Sequence, residues 1–188
     1  MTLWLVRHAQ PLVGQGVCYG ASDMPADVAA TRAAAQALAL VLPHGIQVTS
    51  STLQRCEQLI KCLRGLRADL IVKSDPRLVE MNFGTWEGQR WDAIPRQELE
   101  AWTDSFEAWR CGGGESVQDV MQRVAAVWDE AQAHTQATGH STAWITHAGV
   151  IRAATLISNG VRRVTQASQW PPDAPVFGQW TCVSMRGV

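Results

Sequence analysis

Leu3-Trp4-Leu5-Val6-Arg7-His8-Ala9-Gln10 runs four apolar residues straight into an arginine and a histidine. An uninterrupted apolar run of this length reads as a strand buried on both faces of a parallel sheet. Such sheets hold ligands beyond the carboxyl ends of their strands, which is where Arg7 and His8 fall. A lone Arg-His pair at a strand end is more often a satisfied structural pair, so the rest of the chain has to decide between packing and chemistry.

Outward from this strand, strand and helix patterns alternate. Pro11 to Pro25 carries three glycines and two prolines and reads as a loop on the ligand edge. Asp27 to Leu42 is an alanine-rich helix ended by Pro43 and Gly45. Ile46 to Ser50 is β-prone, and Ser51-Thr52-Leu53-Gln54 fits a capping box for a helix reaching about Arg64. Leu70-Ile71-Val72 predicts a third buried strand, stopped by Asp75-Pro76. Residues 77–114 mix tryptophans, charges and prolines, with a helical stretch from Gln97 to Trp109, and are expected to form an inserted flap. Ser116 then caps a helix whose Val117, Val120, Met121, Val124, Val127 and Trp128 share one face. Thr142 to Thr146 is a further strand, followed by His147-Ala148-Gly149 and an apolar helix to Ile157. Trp180 to Met185 predicts an edge strand. The expected fold is α/β, a three-layer αβα sandwich with a mainly parallel sheet, forming one domain over residues 1–188.

Composition narrows the function. With 16 Lys+Arg against 17 Asp+Glu there is no basic excess to hold nucleic acid or an anionic membrane, and no apolar run approaches a membrane span. Five cysteines without a C-x-x-C pair read as reduced thiols of a cytoplasmic protein. No cysteine has an arginine six residues later, so a cysteine-based phosphatase is excluded. Gly112-Gly113-Gly114 lacks a following Gly-Lys-Ser/Thr and reads as a hinge before a helix. No zinc-ligand spacing occurs, so no metal and no cofactor are expected. Three strand ends deliver Arg7-His8, Arg55 and His147 to one edge. Two guanidiniums, two imidazoles and helix N-termini meeting at one point suit a dianion such as a small-molecule phosphate monoester.

These residues carry a resemblance. Leu5-Val6-Arg7-His8-Ala9, Ser51-Thr52-Leu53-Gln54-Arg55, Glu80 to Gly88, Gly113-Gly114-Glu115-Ser116 and Ile145 to Arg152 occur in the order found in the histidine phosphatase superfamily, the phosphoglycerate-mutase-like proteins. Each motif alone is weak, and five in order are specific. The resemblance implies that His8 is the nucleophile, that Arg7, Arg55 and His147 bind the phosphoryl oxygens, and that Glu80 is the proton donor, with Glu87 as the competing carboxylate. It also implies that Glu115 or Ser116 lies near the pocket rim. Ala9 and Thr52 stand where the family usually has glycine and proline. The loop from Gln10 to Gly20 lacks the family's usual asparagine, leaving Gln10 or a backbone amide to replace it. Cys18-Tyr19-Gly20 with Asp23, and the Gly-Gly-Glu-Ser run, look similar to the α-ribazole phosphatase branch of cobalamin nucleotide-loop assembly. A phosphoglycerate mutase is the alternative within the family, and a non-catalytic phosphoryl-binding module the alternative outside it. Trp4, Trp128 and Trp144 are expected in the core; Trp86, Trp91, Trp102, Trp109 and Trp170 are expected to pack the flap or to wall an aromatic leaving group.

Overall fold

A computed structural model describes residues 1–185. Five strands form one sheet: β1 (Thr2–Arg7), β2 (Gln47–Ser50), β3 (Ile71–Ser74), β4 (Thr142–Thr146) and β5 (Trp180–Ser184). Their order is β3-β2-β4-β1-β5, parallel throughout except for β5, which runs antiparallel to β1. The main helices are α1 (Val28–Val41), α2 (Gln54–Leu66), α3 (Arg96–Asp104), α4 (Val117–Thr138) and α5 (Ala148–Ser158).

The two-residue period of the strands sorts the core into two halves. Leu3, Leu5 and Trp144 point to one face and pack with α4, α5 and the segment between β3 and α4. Val6, Val48, Ala143 and Ile145 point to the other and pack with α1 and α2. This is the three-layer α/β arrangement expected from the alternating pattern. At the centre, β1 and β4 lie side by side in register, Leu5 opposite Trp144 and Arg7 opposite Thr146. The chain leaves β1 for α1 on one face and leaves β4 for α5 on the other. A crevice therefore opens between their carboxyl ends, the usual ligand position in open parallel sheets.

Capping fixes where helices begin. Asp27 accepts from the Ala30 amide at 2.8 Å to start α1, and Ser116 with Asp119 forms a reciprocal capping box for α4. The predicted capping box at Ser51 does not form: α2 begins at Gln54, and its first amide donates to Asp23 Oδ1 at 2.8 Å from the loop after β1. The third strand is likewise not buried. β3 is the sheet's edge, and Ile71 is 63% exposed. An apolar triplet reports a strand but not its place in the sheet order.

Residues 75–116 are tied down by aromatic packing. Trp91 stacks on Trp102 with ring centroids 6.5 Å apart, and Trp102 stacks on Phe106 at 5.6 Å. Trp86 is buried, and its indole donates to Glu98 Oε2 at 2.5 Å. The helix in this segment is shorter than expected, ending at Asp104, and Trp109 is exposed. Trp128 and Trp144 lie in the core as predicted, whereas Trp4 is half-buried, its ring 6.5 Å from that of Trp180. No helix among the described residues is long and apolar enough to cross a membrane.

Candidate active site

β1 and β4 end in the two histidines. His8 and His147 are both buried, with ring centroids 5.0 Å apart. The His8 amide donates to the Thr146 carbonyl at 3.0 Å, so ladder bonding between the central strands sets the spacing of the rings. His8 Nδ1 lies 2.7 Å from the Ala9 carbonyl, which makes Nδ1 the protonated nitrogen and leaves Nε2 with its lone pair. Burial lowers the His8 pKa to about 3; the bond to Ala9 works in the opposite direction, and the charges of Arg55 and Arg7 lower it further. Burial, followed by His8 and the neighbouring guanidiniums, also holds the His147 pKa well below its ordinary value. Both rings are neutral at physiological pH.

Two arginines frame the imidazoles. Arg55, the second residue of α2, is fully buried. Its guanidinium donates to the carbonyls of Gly20 at 2.6 Å and Ser22 at 2.8 Å, and its Nε donates to His147 Nδ1 at 3.3 Å. Arg7 donates to the Pro175 carbonyl at 3.0 Å and lies 3.9 Å from the Phe177 ring centroid, while its Nε is buried without a partner. Tyr19, the chain's only tyrosine, lies within electrostatic reach of Arg7, and the Arg55 guanidinium sits 5.6 Å from its ring centroid. Burial is the largest cause lowering the pKa of each arginine, and both feel the charge of Glu80. Removal of the guanidiniums from water is only partly offset by the charge of Glu80.

The Glu80 carboxylate is seated at the start of α5, accepting from the Gly149 amide at 3.0 Å and the Met81 amide at 3.0 Å. A negative group is favoured at a helix N-terminus. Glycine at 149 leaves room for this seat, since a Cβ there would lie 2.3 Å from Glu80 Oε1 and push the carboxyl away. Gly20 is more tightly constrained, because a Cβ would lie 1.8 Å from the backbone carbonyl oxygen of Met81.

The structure thus brings Arg7, His8, Arg55, Glu80 and His147 together. Gln10 lies outside this buried cluster, lining a hollow beside Tyr19 and Phe177. It is exposed, and its amide donates to the neighbouring Pro11 carbonyl at 3.4 Å. His147 is held at both nitrogens: Nδ1 accepts from Arg55 and Nε2 donates to Ser51 Oγ at 2.8 Å. Glu115 and Ser116 brace the scaffold instead of the rim. Glu115 pairs with Arg123 at 2.8 Å and accepts from the Asn82 amide, and Ser116 caps α4.

Glu87, the competing carboxylate, is a clamp. It accepts from the amides of Ala21, Ser22 and Phe83 at 2.9, 2.6 and 3.0 Å, and from the Ser22 hydroxyl. Burial alone would raise its pKa, yet these bonds, led by that from Ser22, lower it. The clamped loop is the one whose carbonyls hold Arg55. Phe177 escapes a reading of the sequence, and the roles of Ser51, Tyr19 and Glu87, each singled out there for another reason, do so as well, because all four act through tertiary contacts. The lone tyrosine beside Gly20 is the one available signal. Among the described residues, no group of three or more His, Cys, Asp or Glu side chains is placed to hold a metal ion.

Beside Glu80 opens a cavity of about 360 Å³. Trp91, Trp102, Phe106 and Trp170 contribute to its wall, and Arg152 lies on it.

A crevice site with two neutral imidazoles, two guanidiniums and a carboxyl group, on this fold, defines a phosphoric monoester hydrolase. The profile of the histidine phosphatase superfamily, branch 1, matches residues 3–166, and the chain belongs to that family. Among solved structures, the chain is similar to the mycobacterial glucosyl-3-phosphoglycerate phosphatase in complex with inorganic phosphate, at 25% identity and a TM-score of 0.80, covering 97% of this chain and 89% of that one. It is also similar to TTHB049 from Thermus thermophilus, at 27% identity and a TM-score of 0.68, covering 97% and 93%. No curated protein matches the chain.

Proposed function

We propose that this chain is a metal-independent phosphatase that hydrolyses a small phosphate monoester through a phosphohistidine on His8. The observation carrying this reading is the meeting of His8, Arg55 and His147, from three distant segments, in one buried cluster. His8 Nε2 attacks phosphorus, the N–P bond forms and the ester O–P bond breaks. Protonated Glu80 gives its proton to the departing alkoxide. Water then attacks the phosphohistidine, Glu80 takes a proton from it, the new O–P bond forms and the N–P bond breaks. The enzyme returns to its starting state.

The guanidiniums of Arg7 and Arg55 neutralise the phosphoryl oxygens, with no ion required. His147 joins them by exchanging its bond to Ser51 Oγ for one to a phosphoryl oxygen. Within this reaction, α-ribazole 5'-phosphate is the substrate suggested by the sequence motifs, and glucosyl-3-phosphoglycerate the one suggested by the mycobacterial neighbour.

The test is trapping of the intermediate. Incubation with p-nitrophenyl phosphate in excess EDTA, followed by a base quench, should place an acid-labile phosphoryl group on the peptide carrying His8. His8→Ala should lose both adduct and turnover. Undiminished hydrolysis by His8→Ala, or full inhibition by EDTA reversed by added metal, overturns the reading.

A further inference from the structure

Arg7, His8, Arg55 and His147 form a cup, and the steps on His8 give its aromatic neighbour Tyr19 no task. The Tyr19 phenol is half-buried and within electrostatic reach of Arg7, Arg55 and Glu80, which come from three separate segments. The Arg55 guanidinium sits 5.6 Å from its ring centroid. The backbone on either side is pinned. The Cys18 amide donates to the Gln89 carbonyl at 2.7 Å, the Cys18 carbonyl accepts from the Gly88 amide at 2.9 Å, and the Gly20 carbonyl accepts from Arg55 at 2.6 Å. With Gly20 also pressed against the Met81 carbonyl, the fold itself sets where the ring stands.

The neighbours decide what the hydroxyl can do. A guanidinium has donors and no acceptor, so neither arginine can receive the phenol's proton in a hydrogen bond. The Glu80 oxygens already accept from the Met81 and Gly149 amides. The proton is therefore available to an anion drawn in between the guanidiniums, and a phosphoryl oxygen is such an acceptor. A neutral donor suits the place, because a third cation would be repelled by Arg7 and Arg55 whereas a phenol bonds the anion without adding charge. Burial raises the phenol's pKa by more than the two arginines lower it, so the hydroxyl keeps its proton at neutral pH.

We propose that Tyr19 is a catalytic residue, its hydroxyl donating to a phosphoryl oxygen beside Arg7 and Arg55 while the group passes to His8 and then to water. The proposal rests on the phosphatase reading and adds a donor to that same site.

Tyr19→Phe, which removes the hydroxyl and keeps the ring, is expected to lower kcat/KM for p-nitrophenyl phosphate roughly tenfold to a hundredfold, the scale of one hydrogen bond to a charged group. Inhibition by orthovanadate should weaken by a similar factor. Because Tyr19 is the chain's only tyrosine, a fluorinated tyrosine supplied during expression alters this ring alone. Wild-type kcat/KM should fall at alkaline pH as the phenol, facing Arg7, Arg55 and Glu80, ionises and repels the phosphoryl group. Difluorotyrosine, whose phenol is more acidic, should move that limb to lower pH, and Tyr19→Phe should lack it. Should Tyr19→Phe fail to fold, the fluorinated enzyme carries the test. A Tyr19→Phe enzyme within twofold of wild type in both kcat/KM and orthovanadate inhibition, or an alkaline limb that fluorination leaves in place, overturns the proposal and leaves the phosphatase reading standing. Absence of a phosphoryl group on His8 of the wild type after incubation with substrate overturns the phosphatase reading itself.

Discussion

At the scale of single residues, the site is a set of charges taken out of water. Arg55 is the clearest case, fully buried with its donors on backbone carbonyls and an imidazole. Arg55→Ala is expected to cost about 2–4 kcal/mol in kcat/KM, the scale of a charge-assisted bond plus disturbance of its buried partners. A loss under twofold in steady-state kinetics removes it from the site. His8 gives a second expectation. Its pKa falls from 6.5 to about 3 on folding, so between those values the unfolded chain binds a proton that the folded chain refuses. Stability must therefore fall as pH drops through this window, by up to about 1.4 kcal/mol per pH unit for each such histidine. Denaturant melts at pH 7 and pH 5 should show this slope, and His8→Asn should flatten it; an unchanged slope in that variant refutes the burial argument. The positions of Arg7, His8, Arg55 and His147 were legible in sequence because strand ends and a helix start deliver them. For Gln10 the sequence names only a position in the loop after β1, because nothing in a loop sequence says whether its side chain turns inward or, as here, to the adjacent carbonyl.

At the scale of elements, the starts of α2 and α5 do the positioning, and each takes its partner from elsewhere in the chain. The Ser51 motif looked like a cap, yet Ser51 turns to His147 while Asp23 takes the first amide of α2. A local pattern names the residues able to cap and leaves tertiary competition to choose among them. The same conflict predicts the outcome at α5. Gly149→Ala is favourable for an isolated helix by roughly 0.5–1 kcal/mol. Its Cβ nevertheless collides with the Glu80 carboxyl, which must leave its seat. The variant should keep its far-ultraviolet circular dichroism and cooperative unfolding while kcat falls at least tenfold, through loss of the positioned proton donor. Retained kcat would show that Glu80 does not act from this seat. β3 teaches the complementary lesson: the expected α/β layering was readable from alternation, but which strand lies outermost depends on pairing partners that the triplet Leu70-Ile71-Val72 does not encode.

At the scale of the whole molecule, the cup is assembled from Arg7 and His8, the loop carrying Gly20 and Ser22, Arg55, Glu80, His147 and Phe177. A bound anion therefore ties together segments that separate on unfolding. Inorganic phosphate at about 100 times its dissociation constant should add about 2.7 kcal/mol of stability by mass action, and thermal melts with and without it should show the shift. Arg55→Ala should reduce that shift, and an equal shift in the variant places the anion elsewhere. The pairing of β5 with β1 has a temporal side as well. Thr2 is matched with Ser184, and His8 meets Phe177, so the earliest-made strand acquires its last neighbour from a part of the chain that leaves the ribosome long afterwards. During synthesis β1 must wait, first for β4 and then for β5, with its apolar side chains unpaired. Long-range closure of this kind slows folding and lengthens exposure to aggregation. A nascent polypeptide halted before residue 177 would thus carry both histidines and still lack the ring that closes over them.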